Sequence, residues 1–341
     1  MTSGRVLGYE RPVSLGGALY PDPDVVTVRW FGTACFEVVV GDRVLLLDQH
    51  YARSVRNRSL GFDVTEVTRA DVLLVGHPHP DHVSDTAQVA LQTGAPAVIA
   101  PRGADYLLGA GLGSDGIVPV TGLGEGDLLA FRDLSVRALH GFHGEAHLDE
   151  HLSKAVAEVQ AAQAALDALL FPPVSADELA AGEAIFERGL LIPEVITEET
   201  LTYVIEIDGF RIVYRDSGGK LSDEEIAYFG AHPGCDVALV SINGRPYWQQ
   251  DIDDVFLPIV ELYQPKVLIP AHHDALFGAL PGRGQLSRLF VDVATELLKE
   301  RVHAALPGTA TVQPGLVEPI RIDRKSGQVV LGEGVGVLVT P

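Results

Sequence analysis

The segment Val72-Leu-Leu-Val-Gly-His-Pro-His-Pro-Asp-His82 constrains this chain more than any other. Its first residues have the length and composition of a buried strand that ends at Gly76. Four groups able to hold a metal, His77, His79, Asp81 and His82, crowd the next six positions. Alternate residues of an extended turn point the same way, so His77 and His79 can reach one cation. A helix should begin just beyond, which lets Asp81 and His82 face a second. Pro78 and Pro80 restrict the backbone and lower the entropy lost in holding that geometry. A lone histidine in a turn is an ordinary polar residue. Three histidines and an aspartate directly after a buried strand are the pattern of a metal site.

One strand end supplies only part of a coordination sphere, so the other donors are expected at other strand ends. Three places qualify. Val136-Arg-Ala-Leu-His-Gly-Phe-His143 is an apolar strand that opens onto His140 and His143, with His147 just beyond. Asp216 closes another apolar run and precedes Ser217-Gly218-Gly219, a turn that lets backbone approach closely. Val267-Leu-Ile-Pro-Ala-His-His273 is a buried strand ending in two histidines.

The rest of the chain frames these positions. Phe36–Asp48 (FEVVVGDRVLLLD) and Val204–Asp216 (VIEIDGFRIVYRD) echo one another. In each, a glycine at a turn, Gly41 or Gly209, is followed two residues later by Arg43 or Arg211, and an apolar strand ends at an aspartate. Two such strand–turn–strand units suggest two similar halves. Val72–Val75, Ala97–Ala100, Val136–Leu139, Val237–Val240 and Val267–Ile269 read as strands. His82–Thr93, Ile252–Tyr263 and Leu286–Ala304 read as helices, the first stopped at Gly94. Sheets covered by helices follow. Residues 145–198 stand apart: Leu152, Val156, Val159, Ala162, Leu166 and Leu169 form one apolar stripe, broken at Pro172-Pro173. This reads as a helical insertion serving as a lid, a dimer surface or a plain structural cap, and a homo-oligomer through the stripe is an expectation.

Composition excludes several classes. Across 341 residues, 47% are hydrophobic and 21% charged, as in a globular chain able to bury a large core. A net charge of −21 argues against a broad basic face for nucleic acid. Arg53, Arg56 and Arg58 are a local exception, read as a solvated loop. Cys35 and Cys235 sit beside apolar strands and read as small buried hydrophobes rather than a disulfide or zinc knuckle. No apolar run is long enough to span a bilayer, and Met1–Asp24 has no apolar core of a signal sequence, so a cytoplasmic location is expected.

HPHPDH resembles the HxHxDH signature of the metallo-β-lactamase superfamily, and the order of His cluster, His, Asp and His is similar to that family's order. In finer detail the chain resembles the branch that includes ascorbate-6-phosphate lactonase. Trp30-Phe-Gly-Thr-Ala-Cys-Phe36 looks like its opening strand, Leu45-Leu-Leu-Asp48 like its second, and Leu268-Ile-Pro-Ala-His272 like its last ligand strand. The likeness runs from about Val25 to Asp274. It implies an α/β fold, an αββα sandwich with the metals at one edge of two facing sheets. One domain over residues 1–341 is expected, with the insertion at 145–198, and the stretch after Leu306, which the likeness does not cover, reads as a small β-rich extension at 307–341. By position, His77, His79 and His143 would hold one metal, Asp81, His82 and His272 a second, and Asp216 would bridge them. His140 ends the same strand as His143, and the spacing from Val136 favours His143. The Ile-Pro-x-His pattern favours His272 over His273. Gly76 departs from the Thr or Ser often found before the first ligand.

Two divalent cations, most simply zinc with manganese or iron as alternatives, would lower the pKa of a shared water to about 7 and make hydroxide available. The function expected is a dinuclear metal-dependent hydrolase acting on a small ester or lactone, with or without a phosphate. A phosphodiesterase or phospholipase-D-like hydrolase, and an iron-dependent oxidative enzyme, are the alternatives. Asp81 and Asp216 are the expected catalytic carboxylates, with Asp81 orienting the attacking water. Asp48 reads as an anchor beside the site rather than a ligand, and His273 or Asp274 as supports. Asn243-Gly-Arg-Pro-Tyr-Trp248 offers Arg245 for an anion and Tyr247 and Trp248 for apolar contact, so these residues and His273 are the expected substrate contacts.

Overall fold

The fold is seen in a computed structural model that describes residues 5–51, 59–144, 175–177, 180, 199–242, 252–272 and 296–330, and the backbone of 339–340. After a short hairpin of β1 (Arg5–Val6) and β2 (Tyr9–Glu10), the chain lays down β3 (Val25–Trp30), β4 (Phe36–Val40), β5 (Arg43–Leu47), β6 (Val72–Leu74), β7 (Ala97–Ile99) and β8 (Ile117–Pro119). A second run follows: β9 (Asp127–Phe131), β10 (Leu134–Gly141), β11 (Thr200–Ile207), β12 (Phe210–Arg215), β13 (Cys235–Ser241), β14 (Pro265–Ala271) and β15 (Ala310–Val312). The chain then returns through β16 (Pro319–Asp323), β17 (Val329–Val330) and β18 (Val339–Thr340). Two sheets result, ordered β17-β16-β3-β4-β5-β6-β7-β8 and β18-β15-β14-β13-β12-β11-β10-β9.

The internal echo in the sequence is an echo in topology. β4 and β5 turn back at Gly41 (φ 59°), with Val40 opposite Arg43. β11 and β12 turn back at Asp208 and Gly209 (φ 47° and 79°), with Ile207 opposite Phe210. Each hairpin has an antiparallel neighbour on one side and continues into three parallel strands on the other, β6–β8 in one sheet and β13–β15 in the other. Strands after Leu306 extend both sheets: β15 and β18 join the second, β16 and β17 the first.

One apolar cluster joins Val28, Phe36, Leu45 and Leu73 of the first sheet to Ile205, Tyr214, Leu239 and Ile269 of the second. Strand alternation sends the odd residues Val237 and Leu239 of β13 into it, while Ala238 and Val240 face outward. The outward residues pack under Phe229 of α4 (Asp223–Ala231), Ile259 and Val260 of α5 (Leu257–Tyr263), and Leu298 and Val302 of the helix over 296–305. Sheets faced by helices make an αββα sandwich.

The helix expected over His82–Thr93 is two helices, α1 (Pro80–Val83) and α2 (Thr86–Thr93). The break falls at Asp85, whose backbone N–H donates to Gln49 O at 3.0 Å and whose carboxylate accepts from Tyr51 N at 2.7 Å. Gly94 ends α2 at φ 72°, the left-handed cap its position predicts. Directly after β7 comes α3 (Pro101–Gly109), which packs against β8. In the second half, Ile252–Phe256 is a wide helical turn and the α-helix starts at Leu257. Except for 175–177 and 180, the insertion at 145–198 lies outside the described residues, as do Arg53, Arg56 and Arg58. No described helix is long and apolar enough to cross a membrane.

A buried ion pair ties the N-terminal turn to the first sheet. Glu37 on β4 is fully buried and accepts from Arg29 Nη1 at 2.8 Å, Ser14 N at 2.6 Å and Val13 N at 3.2 Å. Removing one partner of such a pair strands the other charge away from water. Glu37→Ala should therefore lower unfolding stability by about 3–5 kcal/mol in urea titration. A loss below about 1 kcal/mol, the range of an exposed pair, would contradict this account.

Candidate metal centre

The metal-binding candidates leave the sheets where the strands end. His77 and His79 follow β6, with Asp81 and His82 in α1. His143 follows β10, Asp216 follows β12, and His272 follows β14. Three groups of donors form among the described residues, each with its atoms within 4.8 Å of one another: His77, His79 and His143; His77, His82 and Asp216; Asp81, His82 and His272. His77 and His82 therefore link the outer two groups through Asp216. His140 is turned away, 3.8 Å from Glu224 of α4 and edge-on to Phe142.

Hydrogen bonds set the orientation of each ring. His82 Nδ1 lies 2.5 Å from Asp48 Oδ2, leaving Nε2 toward Asp81 Oδ2 at 3.2 Å. Asp48 is itself fixed by the Tyr214 hydroxyl at 2.5 Å and by Gly76 N on its other oxygen at 2.8 Å. A metal-ligating histidine almost always gives its second ring nitrogen to a carboxylate or carbonyl, and Asp48 occupies that place. His272 Nε2 meets the same Asp81 oxygen at 3.1 Å. His77 Nδ1 meets Asp216 Oδ2 at 2.5 Å, and its Nε2 faces His79 Nδ1 at 2.8 Å.

The charges are out of balance without a cation. Asp48, Asp216, His77 and His82 are essentially without exposure, and Asp216 Oδ1 is buried with no hydrogen-bond partner. Burial alone would raise the Asp216 carboxyl, but His77 beside it holds it well below the usual range. Burial likewise would raise Asp81, and the charges and hydrogen bonds of His82 and His272 together hold the carboxyl low. His82, which burial would keep neutral, is pushed far above its usual value by Asp81 and Asp48. Burial pushes Asp48 up. His79 and His143 are pulled down by burial and by the charge of their neighbours, to about 3 and about 4. An orphaned buried carboxylate oxygen, neutral rings at His79 and His143, and carboxylates held ionised at Asp81 and Asp216 converge at contact distance, a donor set that fits divalent cations.

Gly76 has a steric cause. A Cβ there would overlap the Asp216 carboxylate, so the Thr or Ser often found before the first ligand has no room. Backbone strain gathers at the same edge. Thr33, Asp48 and His272 have φ of 48°, 45° and 59°. Thr33 O accepts from His272 N at 2.8 Å and from Trp30 Nε1 at 2.7 Å, which holds two of these strained turns together. Tyr214 and Thr33 had no place in the sequence expectations. The signal for Tyr214 was parity: two residues before Asp216 on one strand, it shares that residue's face. Arg245, Tyr247, Trp248, His273, Asp274 and His147 lie outside the described residues.

Two facing mixed sheets with a histidine–aspartate cluster on one edge define a class, the metallo-β-lactamase fold. Residues 27–272 match the model of the beta-lactamase superfamily domain, and the chain belongs to that family. A UPF0173 metal-dependent hydrolase of Shouchella clausii is 30% identical over 129 residues, which are 38% of this chain and 53% of that protein. One from Xanthobacter autotrophicus is 31% identical over 131 residues, 37% and 52% of the two chains. This chain thus spans about half the length of the curated relatives it matches. Among solved structures, the metallo hydrolase Igni18 of Ignicoccus hospitalis shares the fold with a TM-score of 0.52 at 16% identity, covering 87% of this chain and 98% of that one. The diiron β-hydroxylase CmlA of Streptomyces venezuelae does so with a TM-score of 0.55 at 13% identity, covering 89% and 55%.

The low-lying histidines set a pH dependence. In the metal-free protein His79 and His143 stay neutral to about 3 and 4, whereas in the unfolded chain they take up protons near 6.5. The unfolded state then binds more protons below 6.5, so their contribution is fully present above that pH and is lost as pH falls toward 4. Replacing both with glutamine should flatten the decline in stability of the metal-free protein between pH 6.5 and 4, measured by denaturant titration at each pH. An unchanged slope would contradict the assignment.

Proposed function

We propose that this protein is a dinuclear metal-dependent hydrolase acting on a small ester or lactone, with or without a phosphate. The observation that carries the reading is the pair of donor groups joined through Asp216, with its orphaned buried oxygen. His77, His79 and His143 would hold one cation, Asp81, His82 and His272 the other, and Asp216 would lie between them. Cations bound there supply a water acidic enough to attack at neutral pH and a Lewis acid for the oxygen that gains charge. The protein's own part is to hold the donors immobile and to keep the Asp81 and Asp216 carboxylates ionised. Asp48 and Tyr214 fix the His82 ring, and His272 is braced on Thr33. Asp81, between His82 and His272, has a carboxylate free of a proton to orient the water. The names of the relatives matched over about half their length, metal-dependent hydrolases, support hydrolysis over oxidation.

The net charge of −21 favours a small substrate over a nucleic acid. Arg245, Tyr247, Trp248 and His273 are the proposed substrate contacts, following β13 and β14 at the site edge. Histidine and carboxylate donors suit zinc, manganese or iron, and the fold is shared with a diiron β-hydroxylase, so metal identity decides between hydrolysis and oxidation. Elemental mass spectrometry of the purified protein, with Asp81→Ala and His272→Ala beside it, is the test. Two zinc or manganese ions per chain, falling to about one in each variant, with turnover of lactones or phosphodiesters lost by 100-fold or more, are expected (roughly, for a metal site of this kind). Iron as the main metal would replace hydrolysis by oxidative chemistry. Absence of metal from a folded protein would end the reading.

A further inference from the structure

The loop that carries Asp216 has no regular structure between Asp216 and Ser222, yet it is fully buried at Asp216, Ser217 and Ser222. Its shape is set from behind by Arg215, which is 1% exposed. The guanidinium donates through Nη1 to Ser217 O, through Nη2 to Lys220 O at 2.8 Å, and through Nε to Glu225 Oε1 at 3.0 Å. Three directions are thus used by one planar fork, which a lysine ammonium cannot reproduce.

Glu225 is in turn over-determined. Its Oε1 also accepts from Thr202 Oγ1 at 2.7 Å and the Tyr263 hydroxyl at 2.6 Å, and its Oε2 from Ser222 N at 2.9 Å. Thr202 lies on β11, Tyr263 on α5 and Ser222 at the start of α4, so the loop is referred to three elements that bear no metal donor. The loop then reaches the end of β10. Ser217 Oγ accepts from Gly144 N at 2.9 Å, and a Cβ on Gly219 would overlap the Phe142 carbonyl and the His143 backbone. One buried arginine therefore stands behind two donors at once, Asp216 and His143. The group of Asp81, His82 and His272 takes its orientation elsewhere, from Asp48, Tyr214 and Thr33.

We propose that Arg215, anchored on Glu225, is a positioning residue that places Asp216 and the His143 backbone against His77 and His79, and so governs affinity for the cation on the His143 side. The proposal rests on the two-cation reading above. A purely structural role for the same arginine would weaken both cations alike through general loosening. A positioning role weakens the His143 side more, because Asp216 and His143 both serve it while Asp216 alone reaches the other.

The test uses the full chain stripped of metal and titrated with cobalt(II) against a chromophoric chelator. Arg215→Lys is made in His272→Ala, which leaves the His143 side intact, and in His143→Ala, which leaves the other. Cobalt affinity should fall about 10- to 100-fold in the first background, as for other residues that orient metal ligands, with a changed visible spectrum. In the second background, where Asp216 alone links the arginine to the cation, it should fall markedly less. Ser217→Ala, which removes only the acceptor for Gly144 N, should give a smaller loss confined to the same side while the melting temperature of the metal-free protein holds. It carries the test if Arg215→Lys does not fold. Equal losses on both sides, or none, would overturn the proposal and leave the two-cation reading standing. Fewer than two cations on the unaltered protein would remove that reading, and the proposal with it.

Discussion

Asp216 is a carboxylate with no exposure, wedged between two imidazoles and a glycine backbone, and one of its oxygens has no partner. Taking such a charge out of water costs several kcal/mol, recovered only where nearby positive charge and hydrogen bonds are well placed. Asp48 and Asp81 are buried within a few ångströms of the same rings. In the metal-free protein the compensation comes from protons: His82 is driven to hold one far above its ordinary range, and Asp48 is driven upward. Divalent cations held by the cluster would relieve this arrangement by supplying the positive charge that those protons supply. Metal binding and proton release are thereby linked, and the same burial that makes the empty cluster costly makes the loaded one tight.

That constraint explains the architecture around it. Each half of the chain ends a hairpin at an aspartate, Asp48 in one sheet and Asp216 in the other, and the facing sheets bring the two carboxylates onto His82 and His77. Asp48 braces His82, and Asp216 is the proposed donor. The repeated hairpin thus supplies both the scaffold and its charge. Strain is spent at the same edge: Thr33, a β-branched residue, and His272 hold left-handed backbone that costs on the order of 1–3 kcal/mol each.

The sequence carried much of this in local patterns. The apolar runs ending at Gly76, Leu139 and Ala271 marked strands because burial on both faces leaves no polar alternation, and the donors were legible because each falls just past such a run. Choosing His143 over His140 rested on spacing, and strand pairing places them apart: His140 still sits in β10 opposite Leu201 with its carbonyl taken by Ser222, while His143 is beyond the last pair. Other features had no local sign. The break at Asp85 depends on Gln49 and Tyr51, and the fit of Gly76 depends on a side chain 140 residues later in the chain. The Arg215–Glu225 clamp looks in sequence like a strand residue and a charge on a helix. Only the fold shows that both are buried.

The two sides of the cluster are not equally enclosed. Asp81, His82 and His272 are buried, whereas His79 and His143 are half-buried and Phe142 beside them is exposed. Among the described residues the cluster is therefore open toward the end of β10. On a rigid sandwich of this kind, chemistry belongs to the strand ends and selectivity to the connections between them. The donors and their braces lie on the first. Arg245, Tyr247, Trp248 and His273 lie on the second, which is why the same sequence fixes the metal chemistry more closely than the substrate.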